Sequence, residues 1–176
     1  MGMYTEFIFG CELSINTPKV CIDALDYIIN RNKAPKYENP QTYQEASYNN
    51  AYIERTTAQD KIDKFISQYD LGYLLGSSSY YFGAANPVQK FYYDSISDSY
   101  HISTRSDLKN YQHQIEKFIK YIKDYVTEGS GFPHGVFAYV QYEESEFPTI
   151  YAIDGIYKVP GADALDSSYK LSYNEI

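Results

Sequence analysis

Between Thr5 and Asn30 the hydrophobic period of the chain changes once, from two residues to about 3.6, and that switch limits the folds open to it. In "YTEFIFGCELS" Thr5, Phe7, Phe9, Cys11 and Leu13 fall on one side of an extended chain. Tyr4, Glu6, Gly10 and Glu12 fall on the other, with Ile8 the one apolar exception. In the "NTPKVCIDALDYIINRN" that follows, Thr17 stands as an N-cap and Pro18 takes the first helical position, where a missing N–H costs nothing. Cys21, Leu25 and Ile28 make one apolar stripe, widened by Ile22 and Ile29. A strand feeding straight into an amphipathic helix buries its apolar face against it, so a sheet with helices on one side is expected. Both cysteines sit on these buried faces and read as small core residues rather than nucleophiles. Two are also too few for a disulfide framework.

Residues 32–59 carry polar residues, prolines and tyrosines without a clear period and read as a loop-rich insertion. Ile62, Phe65, Ile66 and Tyr69 then recur at helical spacing. From Leu71 the helical period disappears, and three or four short strands are expected up to about residue 105. Within them "SSSYYFGAANPVQKFYYD" poses a choice between a Gly/Ser loop for phosphate and an aromatic hairpin. A phosphate loop needs converging backbone N–H groups at a helix start, usually with a lysine. Here Gly76 and Gly83 lead into strand formers instead, which favours the hairpin. Neighbouring residues of a strand point to opposite faces, so Tyr80, Tyr81, Phe82, Phe91, Tyr92 and Tyr93 cannot all turn inward. A second clear helix is expected over 107–126, with Ser106 as N-cap and Leu108, Tyr111, Ile115, Phe118, Ile122 and Tyr125 on its apolar face. Lys109, Lys117, Lys120 and Lys123 ride opposite them and read as a solvated face, since Glu116 and Asp124 interrupt the row. Two further strands flank "SEFP". In the first, Val136, Ala138, Val140 and Tyr142 suit one face, and Phe137, Tyr139, Gln141 and Glu143 the other.

The expectation is one α+β domain over residues 1–176, with a polar tail over 160–176. Its antiparallel sheet has about five to seven strands, with the helices at 17–30 and 107–126 on one face. The arrangement is ferredoxin-like with additions. The other sheet face is expected to be open and aromatic.

Charge and chemistry narrow the function. The chain carries a net charge of −8, concentrated toward its end: residues 127–176 hold eight acids against two bases. Such a chain lacks the clustered Lys and Arg that hold phosphate backbones, so direct nucleic-acid binding is not expected. No apolar run reaches a membrane span, and "MGMYTEFIFG" has no basic leader pattern, which together read as cytoplasmic. His113 and Glu116 have a spacing two metal ligands could share, but no second pair accompanies them, so neither metal nor cofactor is expected. No strand–Ser–helix elbow is present. Glu143, Glu144 and Glu146 could offer an acid and a base, yet "YEESEFP" reads as a solvated hairpin edge. The reading is therefore non-enzymatic. What stands out instead is 22 tyrosines, a residue that gives large contact area with a polar tip.

The segments "MYTEFIFGCEL", "TPKVCIDALDYI", "SSSYYF", "DLKNYQHQIEKFIKYI" and "GVFAYVQYEESEFPTIYA" together resemble small uncharacterised accessory proteins of tailed phages and prophages of Gram-positive bacteria. That resemblance runs from about residue 3 to residue 155 and carries no functional residues with it. It implies a phage accessory protein made in the bacterial host cytoplasm. The resulting expectation is a protein that binds, and inhibits, a host or defence protein. Its binding surface would combine Tyr80, Tyr81, Phe82, Tyr92, Tyr93 and Tyr139 with Glu143, Glu144 and Glu146. The alternative is a small-molecule or nucleotide-binding sponge that stacks its ligand on tyrosines, with Lys90 and Arg105 as the nearby cations.

Overall fold

The computed structural model describes residues 4–30, 48–75, 89–127, 135–158 and 169–175. In chain order these form β1 (Thr5–Ser14), α1 (Lys19–Asn30), α2 (Tyr48–Tyr69), α3 (Leu71–Leu74), β2 (Lys90–Asp94), β3 (Ser99–Leu108), α4 (Gln114–Ile122), β4 (Val136–Tyr142), β5 (Thr149–Ala152), β6 (Gly155–Lys158) and β7 (Tyr169–Leu171). The strands make one antiparallel sheet in the order β2-β3-β1-β4-β5-β6-β7. Its first four positions, with α1 and α4 as the crossovers, follow the split βαβ pattern of ferredoxin-like domains. Strands β5, β6 and β7 extend that sheet as a meander.

β1 is the axis of the domain. All ten of its residues pair with β3, from Thr5 opposite Leu108 to Ser14 opposite Ser99, and its first five also pair with β4. The expected alternation holds: Thr5, Phe7, Phe9, Cys11 and Leu13 are buried. Phe9 meets Phe118 of α4 edge-on at 5.3 Å and Phe137 at 6.3 Å. Cys21, Ile22, Ala24, Leu25 and Ile29 of α1 and Ile115, Phe118, Ile119 and Ile122 of α4 complete this core. Phe65 of α2 joins it through an aromatic cluster with Tyr69 and Tyr121, at 5.0 and 5.2 Å.

Several expected boundaries shift. The second clear helix begins at Gln114, not 107. Ser106, Asp107 and Leu108 end β3, where Leu108 is buried opposite Thr5 and Ser106 faces the core opposite Phe7. Ten residues of continuous pairing with β1 outweigh one cap interaction, and the Ser106 hydroxyl is left without a hydrogen-bond partner. Asn110 takes over the helix start, its side-chain oxygen accepting the Ile115 N–H at 3.1 Å. The Thr17 hydroxyl donates to the Ser14 carbonyl at 2.6 Å and so closes the turn between β1 and α1. α2 begins at Tyr48, inside the expected insertion, and Leu71–Leu74 is helical rather than extended. The run after "SEFP" is two strands rather than one, folded at Ile153-Asp154. A Cβ on Gly155 would lie 3.0 Å from the Leu171 carbonyl, a close approach that lets β7 dock. β7 itself lies in the expected polar tail. Phe137, assigned outward by strict alternation, is buried because β4 is irregular between Val136 and Ala138.

Candidate functional site

Both main crossover helices pack on one face of the sheet, and among the described residues no element covers the other. The pairing registers align a single row across six strands of this open face: Arg105, Ile8, Tyr139, Ile150, Tyr157 and Lys170. At a strand spacing of about 4.8 Å the row is about 24 Å long. Its four central members are only partly buried. Each terminal cation is held by a carboxylate. Arg105 pairs with Glu6, and the Lys170 ammonium lies 2.6 Å from Asp154 and 5.6 Å from the Tyr157 ring centre. The Tyr157 hydroxyl also donates to Asp154 at 2.7 Å. These hydrogen bonds, from Lys170 first and Tyr157 second, hold the exposed Asp154 carboxyl below its ordinary range. The result is an apolar, aromatic strip capped at both ends by fixed ion pairs.

The structure divides the tyrosines expected to act together. Tyr92 lies on the open face, on the edge strand β2, stacked on His101 at 5.1 Å and 8°. Tyr93 points to the opposite face, where its hydroxyl donates to Asp98 and its ring tilts against Tyr100. Tyr139 sits at the centre of the six-residue row. Two strands separate it from β2, so Tyr92 and Tyr139 are at least about 14 Å apart and do not form one patch. Tyr80, Tyr81 and Phe82 lie outside the described residues. Glu143, Glu144 and Glu146 are exposed at the β4–β5 connection. Glu143 is pinned there, since its N–H donates to the Tyr4 carbonyl at 3.0 Å and its carboxylate accepts the Tyr4 N–H at 2.8 Å.

Ile8, Ile150, Tyr157 and the two terminal cations do not stand out as a group in the sequence. The one signal is Ile8, an apolar residue on the polar side of an otherwise alternating strand. The rest of the row depends on registers between strands far apart in the chain.

Both thiols are free and buried, and burial pushes Cys21 up to about 12 and Cys11 well above its ordinary value. Such thiols carry almost no thiolate near neutral pH. His113 Nδ1 lies 3.8 Å from Glu116, and among the described residues no group of three or more His, Cys, Asp and Glu could hold a metal ion. No described helix is long and apolar enough to cross a membrane. No family model matches the chain, and comparison with curated proteins and with solved structures likewise finds no match.

Proposed function

We propose that the chain is a non-enzymatic binding module that docks a protein partner on the open face of its sheet. The row Ile8–Tyr139–Ile150–Tyr157 carries this reading: partly exposed aliphatic and aromatic side chains aligned on rigid strands supply contact area at small entropic cost. The exposed Glu143, Glu144 and Glu146 lie at the end of β4, the strand that carries Tyr139, and the chain as a whole is acidic. The partner is therefore a protein with an apolar contact surface and a basic rim. The resemblance to phage accessory proteins supports a bacterial host or defence protein as that partner, with inhibition as the effect. A ligand-stacking sponge suits this face less well, because Arg105 and Lys170 are already paired with carboxylates.

Affinity capture from bacterial lysate with the unaltered chain and with Ile150→Asp tests the reading. A partner retained by the first and lost by the second is expected, with unchanged far-ultraviolet circular dichroism. Equal retention by both removes the open face from the function.

A further inference from the structure

On the helix side of the sheet, the extension leaves a cavity of about 630 Å³ between α4 and the β5–β6 hairpin. α4 covers β1 with its apolar residues and turns Lys117 and Lys120 toward the added strands. There Tyr151 pairs with Ile156, and Thr149 with Lys158, so Tyr151, Ile156 and Lys158 reach the cavity from one sheet face. No described helix packs over this part of the sheet. Tyr142 closes the end nearest β4.

Two independent features make this a site rather than a gap. The first is charge. In a chain with 23 acids and 15 bases, Lys19, Lys123, Lys170 and Arg105 each pair with a carboxylate. Lys117 and Lys158, like Lys61, Lys64 and Lys90, form no such pair among the described residues; what sets the two apart is that they converge on this cavity, beside Lys120. The one carboxylate among the described residues of its lining, Glu116, is turned to internal work. It accepts the Tyr142 hydroxyl and, at 2.8 Å, the Asn110 amide. The second is an unused hydroxyl. Tyr151 is only 3% exposed, and its hydroxyl makes no hydrogen bond with a described residue. The hydroxyl itself is not sealed off: it opens onto the cavity, where a bound molecule can reach it.

We propose that the cavity binds a small phosphorylated organic molecule. Its phosphate is held by Lys117, Lys120 and Lys158, and its body lies on Tyr142, Tyr151 and Ile156, where a polar atom meets the Tyr151 hydroxyl. Three ammonium groups suit a doubly charged phosphate better than a single carboxylate, and lysine serves phosphate as a compact point charge. The volume lies within the range of about 300–1,000 Å³ found for ligand pockets. This site is on the side of the sheet opposite the protein-docking face, so the two stand or fall separately.

The test is calorimetric titration of the whole chain at low salt with a panel of nucleoside monophosphates, sugar phosphates, inorganic phosphate and the unphosphorylated nucleosides. At least one phosphorylated organic probe should bind, more tightly than its unphosphorylated counterpart and than inorganic phosphate. Lys117→Glu and Lys158→Glu, both at exposed positions, should each weaken it about tenfold or more. Tyr151→Phe, which keeps the ring and the packing, should weaken it by about threefold to tenfold. The proposal is overturned if no phosphorylated probe binds at millimolar concentration. It is equally overturned if inorganic phosphate binds as tightly as every organic phosphate, or if the folded Lys117→Glu/Lys158→Glu variant binds the probe unchanged.

Discussion

The four strands β1–β4 and the three strands β5–β7 belong to one sheet but solve different problems. In the first group α1 and α4 lie over the inward residues, and Phe7, Phe9 and Leu13 have no exposed surface. In the second the sheet continues past the helix layer, and the inward side chains of β5 and β6 line a cavity. The same alternation of side chains thus yields a closed core in one region and a recess in the other. What differs, among the described residues, is the helix cover and not the strand pattern. A sheet can grow by hairpins of a few residues each, whereas a further helix layer needs a long crossover.

The largest expected effects test this contrast with one chemistry in two places. Ile102 of β3 and Ile156 of β6 are both buried strand residues, at 3% and 0% exposed. Isoleucine truncated to alanine in a core costs about 2–5 kcal/mol, and the cost rises with the space left unfilled by contacts. Ile102, packed beneath helices, belongs at the upper end, about 4 kcal/mol; Ile156 lines the cavity, so its truncation loses fewer contacts, leaves space continuous with solvent and costs about 2 kcal/mol. Urea denaturation of the two variants measures both. Equal losses would mean that the extension is as tightly packed as the rest.

The tyrosines give a second, smaller measure. Burial first, with nearby negative groups after it, raises the hydroxyl pKa of Tyr142, Tyr151 and Tyr173 around the extension, and of Tyr121 against the core. For Tyr142 the hydrogen bond to Glu116 adds to the rise. An unfolded tyrosine ionises near pH 10. Above about that pH the unfolded chain loses phenolic protons that the folded chain keeps, so folding stability falls as pH rises from about 10 until the buried hydroxyls ionise as well. Phenolate absorbance at 295 nm should show a group of tyrosines that ionises only as the chain unfolds. Replacing Tyr142 and Tyr151 with Phe should flatten the alkaline fall in the denaturation midpoint. An unchanged slope would mean that these hydroxyls are not withheld from solvent.

The same contrast separates what is legible in the amino-acid sequence from what is not. β1 is legible because its alternation is decided by its own residues, and α1 because its stripe and Pro18 are local. The start of α4 is not, because "SDL" has the chemistry of a helix cap and only long-range pairing with β1 makes it a strand. The β5–β6 hairpin turns at Ile153-Asp154, a pair with no strong turn signature, and Gly155 opens the second strand opposite Ala152, so the turn is hidden in an apolar run. The open-face row and the lysine-lined cavity have no local signature. Lys117 and Lys158 stand 41 positions apart and meet only after a helix and three strands are placed. On sequence alone Lys117 and Lys120 read as a solvated helix face.

The smallest expected effect on stability concerns the acidic end of the open face. Glu144 and Glu146 are exposed, and only Glu143 makes a hydrogen bond, to the Tyr4 backbone. Replacing all three with Gln keeps the size of each side chain and the acceptor oxygen of Glu143. Exposed charges contribute about 0–1 kcal/mol each, and the loss of mutual repulsion works in the other direction, so the midpoint of unfolding should hardly move. Association with a partner captured on the open face should respond differently. Exposed charges act over about 8 Å at physiological salt and steer encounter more than they hold a formed complex. The triple variant should therefore associate more slowly and lose most of the salt dependence of its on-rate, with a nearly unchanged off-rate. Ile150→Asp, at the centre of the row, should do the reverse and speed dissociation. If the triple variant alters the off-rate instead, the glutamates lie inside the contact, and the docking surface runs off the sheet onto the β4–β5 connection.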